Sequence, residues 1–173
     1  MYEFDRETIL AVKDVLDAAR ERGLMIATAE SCTGGLLAAA FTEVPGASTV
    51  FERGFVTYSN EAKMELLGVA AETLAAHGAV SEQTAREMAE GALRHSRADI
   101  TVAITGIAGP GGGTKDKPVG LVHFACAARD GETIALMKLF GDIGRAEVRF
   151  QALHAALDLL RLQMEENYPP AVA

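Results

Sequence analysis

The stretch LMIATAESCTGGLLAAAF, residues 24–41, decides the fold prediction for this chain. It opens with an apolar run at 24–29, passes through the small and polar residues 30–35 and continues as an apolar, alanine-rich segment. This order is typical of a buried strand, a tight turn and a helix. We therefore expect Ser31 at the point where a strand passes into the amino end of a helix.

The amino end of a helix can serve two purposes at such a point. Its unpaired backbone N–H groups and the positive end of the helix dipole can hold a phosphate, or the oxygen that becomes negative when a carbonyl is attacked. A serine or threonine in the same place can also simply cap the helix. Both interpretations of Ser31 and Thr33 stay open here, and this segment alone favours the cap.

The rest of the chain alternates predicted strands with predicted helices. Strands are predicted at 24–29, 51–58, 99–105, 119–129 and 133–140, and helices at 1–22, 34 to near 45, 59–67, 72–76, from 81 onward and 144–165. The alternation implies parallel pairing of the first three strands through right-handed crossovers. A hairpin signal at Asp130 and Gly131 makes one late strand antiparallel. The predicted fold class is therefore α/β, a three-layer α/β/α sandwich with a mixed, mostly parallel sheet of about five strands, in a single domain over 1–173.

Composition and charge argue against several functions. The formal net charge is −8 and no Lys/Arg cluster is present, so binding of nucleic acid or of an anionic membrane is not expected. No apolar run approaches the ~20 residues that span a bilayer, and the amino end has no leader pattern, so we expect a cytoplasmic protein. The two cysteines form no CxxC pair and the four histidines have no metal-ligand spacing, so neither a metal nor another cofactor is expected. Apolar positions on the first and last helices lead us to expect a homo-oligomer.

Three polar or glycine-rich segments follow the three predicted parallel strands, at 30–35, 57–63 and 105–113. Because ligands bind at the carboxyl ends of parallel strands, we expect these segments to meet at one edge of the sheet. Glycines in the third segment let backbone N–H groups approach an anion. That segment is neither a Walker P-loop nor a dinucleotide fingerprint, because Thr114 and Lys115 stand in the wrong order and no helix follows. A flexible surface loop explains its composition equally well.

Lys63 is the candidate base for Ser31. It lies in the first turn of the helix after the second strand, where a cation is unfavourable, and burial there would lower the pKa of its amine. A Ser–Lys pair is a known way to activate a serine hydroxyl. Spacing alone favours the plainer alternative, an exposed lysine on a solvated helix.

Tyr58 is a candidate for orienting the base or relaying a proton, although a tyrosine at a strand end more often packs. Cys32 is a rival nucleophile that we interpret as a small buried hydrophobe.

Four long motifs, spread in order over nearly the whole chain, resemble the CinA carboxy-terminal domain family. They are 29–35 (AESCTGG), 54–63 (GFVTYSNEAK), 77–81 (HGAVS) and 105–110 (TGIAGP). The family includes nicotinamide-nucleotide amidohydrolases, which convert nicotinamide mononucleotide and water to nicotinic acid mononucleotide and ammonia. The resemblance implies a three-layer α/β/α fold, Ser31 as the nucleophile and no metal. Some family members carry a further amino-terminal domain that resembles molybdopterin-binding proteins, and this chain is similar to the stand-alone form.

The resulting hypothesis is an amidohydrolase acting on a small nucleotide. Lys63 takes the proton of Ser31, which attacks the carboxamide carbon, while backbone N–H groups around 33–35 or near 105–106 hold the oxyanion. The loop 106–113 and Arg145 hold the 5′-phosphate, with Arg149 and Arg53 as alternatives. The predicted catalytic residues are Ser31, Lys63 and Tyr58, and the predicted substrate-binding residues are Glu30, Thr33, Gly34, Gly35, Thr105, Gly106, Ala108, Gly109, Gly111 and Arg145. At Gly111 the resemblance leads us to expect a polar residue, often Asp, so affinity for the substrate is expected to differ there.

Two alternatives stay open. In the first, the pocket binds a nucleotide or docks a partner without turnover, Ser31 and the glycine-rich loop hold phosphate, and Lys63 is a counter-charge. In the second, the protein is a metal-dependent hydrolase.

Overall fold

A computed structural model describes residues 4–171 of the chain. Its strands are β1 (Ile26–Glu30), β2 (Phe51–Val56), β3 (Ile100–Gly106), β4 (Leu121–Ala128) and β5 (Ile134–Leu139). Its helices are α1 (Arg6–Glu21), α2 (Leu36–Glu43), α3 (Asn60–Leu67), α4 (Ala71–His77), α5 (Glu82–Arg94) and α6 (Arg145–Asn167), with a short 3-10 turn at Ala47–Thr49.

The five strands form one mixed sheet in the order β2-β1-β3-β4-β5. β1 lies parallel to both β2 and β3, as the alternation of strands and helices predicts. β4 runs antiparallel to both β3 and β5, which confirms the hairpin. The predicted α/β fold class is therefore confirmed, with the carboxyl ends of β1, β2 and β3 at one edge of the sheet.

The two faces of the sheet carry side chains of different size. On one face large residues such as Ile26, Ile104 and Phe124 form a core with α1, α2 and α6. On the other face alanines, among them Ala29 and Ala103, pack against α5. Helices thus cover both faces, because the strands of the central sheet are apolar on both sides.

The ends of several helices are set by side-chain caps. The carboxylate of Asp5 accepts the N–H of Thr8, so α1 begins at Arg6 rather than at the predicted residue 1. Residues 1–3 of that predicted helix lie outside the described residues. The hydroxyl of Ser59 accepts the N–H of Ala62 at the start of α3, so the second strand ends before the predicted residue 58. Within residues 4–171, no helix is both long enough and apolar enough to cross a membrane.

Gly91 brings α3 close to α5. A Cβ at Gly91 would lie 1.9 Å from the carbonyl oxygen of Leu67, the last residue of α3. Only a glycine allows this approach, and the approach fixes the helix on which Lys63 lies.

Candidate active site

A cavity of about 280 Å³ opens at the carboxyl ends of β1 and β3. Ser31 and Cys32 follow β1, Thr105 and Gly106 end β3, and Lys63 lies on α3. The other lining residues come from the connection between β2 and α3, from the segment before α5, from the glycine-rich loop and from the start of α6; they are Tyr58, Ala79, Val80, Ile107, Ala108, Gly109, Gly111, Gly112 and Arg145. The three segments that the sequence predicts at one edge do meet there.

Ser31 and Lys63 are in direct contact at the base of this cavity. The Nζ of Lys63 lies 2.9 Å from the Oγ of Ser31, and the two residues are 1% and 8% exposed, respectively. The expectation from spacing alone, an exposed lysine, is wrong. Lys63 is buried because α3 packs against α5 and turns this side chain toward the end of β1.

Two backbone carbonyls determine how the Lys63 amine is oriented. The amine donates to the carbonyl oxygen of Thr57 at 2.8 Å and, over a longer 3.4 Å, to that of Tyr58. Carbonyl oxygens only accept, so they hold two amine hydrogens. The third direction faces Ser31, and in a neutral amine that direction carries the lone pair. Burial lowers the pKa of Lys63, which favours this neutral form.

The side chain of Tyr58 lies at the rim of the cavity and not beside the Lys63 amine. The side chain is 62% exposed, and its hydroxyl accepts a hydrogen bond from Arg145 at 3.1 Å. Arg145 also donates to the carbonyl oxygen of Gly109 at 2.9 Å. The predicted orienting of Lys63 is therefore done by the backbone carbonyl of Tyr58 and not by its phenol.

The side chain of Glu30, a predicted substrate-binding residue, is directed into the protein and away from the cavity. Its side chain is completely buried, outside the cavity lining, and its oxygens accept the N–H groups of Gly35, Leu37 and Ala38 at 2.9–3.1 Å. The predicted oxyanion donor at Gly35 is therefore already occupied.

Thr33, Gly34 and Gly35, which are also predicted substrate-binding residues, lie outside the lining of this cavity. The N–H of Gly34 donates to the carbonyl oxygen of Ser31, and the carbonyl oxygen of Thr33 accepts from Arg149. These residues form the back of the turn that carries Ser31. In the described part of the chain, the N–H of Cys32 has no acceptor other than its own sulfur, and that of Thr33 has none.

The glycine-rich loop lines the cavity as predicted. Its backbone N–H groups at Ala108, Gly109 and 111–113 donate to no acceptor within residues 4–171. Gly109 has φ +84°, and a Cβ there would lie 2.7 Å from the side chain of Val119. A larger residue at this position would therefore prevent the loop from packing this closely against Val119. The hydroxyl of Thr105 lines the cavity but donates to the carbonyl oxygen of Ala79 at 2.7 Å, which ties the loop before α5 to β3.

Sequence reasoning missed Ala79 and Val80 and left Cys32 out of the site, whereas Ile107 and Gly112 lie within the predicted loop 106–113 without being named as binding residues. Ala79 and Val80 lie within the 77–81 motif, so the motif itself was the signal for them. Ile107 and Gly112 stand between residues that the prediction includes.

Cys32 is a poor rival to Ser31. It is buried at the cavity wall, and burial raises the pKa of its thiol to about 11. The thiol form therefore dominates at neutral pH, which agrees with the interpretation of Cys32 as a buried hydrophobe.

The two alternative arginines are engaged elsewhere. Arg53 pairs with Glu52 and donates to the carbonyl oxygen of His95. Arg149 binds behind the Ser31 turn. Across residues 4–171, no group of three or more His, Cys, Asp or Glu side chains is arranged to hold a metal ion.

A larger groove of about 580 Å³ lies beyond Val80, between the segment before α5 and the strands β4 and β5. Its floor is mainly apolar, with Leu121, Met137 and Leu139, and it contains neither Ser31 nor Lys63. The smaller cavity is the candidate active site because it holds the buried, contacting pair of Ser31 and Lys63.

The family model of the CinA C-terminal domain matches residues 10–164. The nicotinamide-nucleotide amidohydrolase PncC of Escherichia coli is 52% identical over 94% of this chain and 98% of its own length. A Caldicellulosiruptor bescii protein named as competence-damage inducible is 50% identical over 93% of this chain, which spans only 38% of that relative. The crystal structure of the competence/damage inducible protein CihA from Agrobacterium tumefaciens superposes with a TM-score of 0.91, at 51% identity, over 94% of this chain and 98% of that one.

Proposed function

The chain belongs to the CinA C-terminal domain family, and from this premise we propose that it is an amidohydrolase that deamidates nicotinamide mononucleotide to nicotinic acid mononucleotide and ammonia. The relative PncC, which this chain matches over 98% of its length, supports the reaction by its name. The single structural observation that carries the proposal is the buried 2.9 Å contact between Lys63 and Ser31 in an open cavity.

The acylation step starts from neutral Lys63. Its lone pair takes the proton of the Ser31 hydroxyl as Oγ attacks the carboxamide carbon, and the carbonyl oxygen becomes negative. Two donors from cavity-lining residues can hold this oxygen: the N–H of Cys32, directly after the nucleophile, whose acceptor within residues 4–171 is its own sulfur, and the unpartnered N–H of Ala108. One such donor typically contributes ~3–4 kcal/mol to lowering the barrier.

The second half of the reaction releases the acid. Lys63 returns its proton to the leaving nitrogen, ammonia departs, and Ser31 is left as an ester of the nicotinic acid moiety. Lys63 then takes a proton from water, whose oxygen attacks the ester carbon. The ester bond breaks, Ser31 regains the proton, and nicotinic acid mononucleotide leaves.

In this mechanism the substrate phosphate is held by Arg145 and by the glycine-rich loop, both of which line the cavity. Arg145 supplies a guanidinium at the rim, and the unpartnered N–H groups of the glycine-rich loop provide further donors. Phosphate binding fixes the position of the carboxamide relative to Ser31, so this contact contributes to the rate as well as to affinity.

The test is ammonia release from nicotinamide mononucleotide by the purified protein. We expect steady release by the wild type, none by Ser31→Ala, and wild-type release by the control Ser96→Ala, since Ser96 lies outside the cavity lining. Wild-type turnover by Ser31→Ala would eliminate the covalent mechanism. Tight nucleotide binding without any ammonia would support the non-catalytic module instead, and loss of activity in a chelator, restored by a divalent ion, would support the metal-dependent hydrolase.

A further inference from the structure

Glu30 presents its carboxyl group to the amino end of α2 from within the sheet. It is the last residue of β1 and immediately precedes Ser31. One side-chain oxygen accepts the N–H of Ala38 at 2.9 Å, and the other accepts those of Gly35 and Leu37, each at 3.1 Å. These are N–H groups at the start of a helix, which have no acceptor within the helix itself.

This contact closes the α2 amino end to any ligand anion. Three of its donors are occupied, and the oxygens that occupy them are completely buried. A second anion would find none of these three donors free. The unpartnered N–H groups at Ala108, Gly109, Gly111 and Gly112 belong to residues that line the active-site cavity, and they are available to a substrate phosphate.

The same contact anchors the turn from which Ser31 projects. The N–H of Ser31 donates to the carbonyl oxygen of Ile104 on β3, and the N–H of Gly34 returns to the carbonyl oxygen of Ser31. Glu30 then fixes the following residue, Gly35, so the turn is held at both ends. Successive side chains of a strand point to opposite faces, so Glu30 binds α2 on one side of the sheet while Ser31 meets α3 on the other.

We propose that Glu30 is a positioning residue, which holds the Ser31 turn so that Oγ stays within reach of the Lys63 amine. Glu30 acts on the turn that carries Ser31 and not on the substrate, because its side chain lies outside the cavity. The inference rests on the proposed function for its kinetic consequence, whereas the anchoring itself is a property of the folded chain.

The test is Glu30→Gln, which keeps the shape but replaces one accepting oxygen by an NH2 group that opposes the backbone donors. We expect kcat to fall roughly tenfold to a hundredfold, the loss typical of a displaced reacting group, with KM within about threefold of the wild type. The matched control is Glu87→Gln, since Glu87 accepts the N–H of Ala70 at the start of α4, outside the cavity lining. It should lose stability while keeping kcat.

Three kinetic results would overturn the proposal. They are an unchanged kcat in folded Glu30→Gln, an increase in KM alone, and equal losses of kcat in the two variants.

Amide hydrogen exchange of the wild type gives a second measurement that needs neither a variant nor activity. Gly35, Leu37 and Ala38 should exchange as slowly as amides of the central strands, and exchange at the rate of exposed loops would show that Glu30 does not hold the turn. A wild type that releases no ammonia refutes the proposed function, and the exchange rates still decide the anchoring.

Discussion

The Nζ of Lys63 lies 2.9 Å from the Oγ of Ser31, although the two residues are 32 positions apart and belong to different elements of the fold. The contact arises because β1 and β2 are parallel neighbours, so Ser31 after the first strand and the α3 helix after the second emerge at the same edge. The carbonyl oxygens of Thr57 and Tyr58, directly after β2, then orient the amine. This relationship underlies the following predictions.

Replacing the amine should abolish most of the activity without unfolding the protein. In Lys63→Met the side chain keeps its length but has no lone pair, so ammonia release from nicotinamide mononucleotide should fall roughly 10²- to 10⁴-fold, the range of general base catalysis. The control is Lys13→Met, which removes an exposed lysine paired with Asp17. Circular dichroism should show both variants folded, and near-wild-type turnover by Lys63→Met would remove the amine from the mechanism.

The activity should rise with pH through the pKa of Lys63. Burial lowers this pKa below the 10.5 of a free lysine, and only the neutral amine accepts the Ser31 proton. The kcat should therefore rise with pH to a plateau, and the midpoint of the rise should lie below pH 10.5. A kcat that does not change with pH up to 10.5 would contradict the role of Lys63 as the base.

Stability should show the same ionisation. Between the lowered pKa of folded Lys63 and 10.5, the unfolded chain binds more protons than the folded chain, so the free energy of unfolding should rise with pH in that window. Urea unfolding of the wild type and of Lys63→Met at several pH values measures the effect, and the increase should be smaller in the variant.

Arg145 should act on the phosphate of the substrate. Arg145→Ala should raise KM for nicotinamide mononucleotide roughly tenfold to a hundredfold, the size of a lost hydrogen bond between charged groups. Nicotinamide riboside, which lacks the phosphate, should be turned over poorly by the wild type and no worse by the variant. Arg53→Ala, at an arginine already paired with Glu52, serves as the control. Equal losses on both substrates would show that Arg145 does not read the phosphate.

Tyr58 should contribute little through its hydroxyl. Tyr58→Phe keeps the backbone carbonyl that faces Lys63 and removes only the hydrogen bond that Arg145 donates, so kcat should fall by less than about tenfold. A loss comparable to that of Lys63→Met, measured by the same ammonia assay, would restore the phenol as a proton relay.

The sequence by itself determined the α/β architecture and the edge at which the site lies. Apolar runs of strand length, separated by helical segments, leave few arrangements other than parallel strands joined by right-handed crossovers. The turn at 30–35, the segment 57–63 and the loop 105–113 then had to meet at the carboxyl ends of those strands. The hairpin signal at Asp130 and Gly131 likewise determined that β4 and β5 pair antiparallel.

The direction of individual side chains was decided only by the tertiary structure. Lys63 is buried because Gly91 admits α3 against α5, a contact between segments whose spacing gives no sign of it. The Glu30 carboxylate accepts N–H groups at the start of α2, which follows it directly in the chain. The Tyr58 hydroxyl meets Arg145, 87 positions away, rather than the amine. Local periodicity fixes which face a residue takes on its own strand or helix, whereas hydrogen-bond partners depend on how those elements pack, and that is a property of the whole fold.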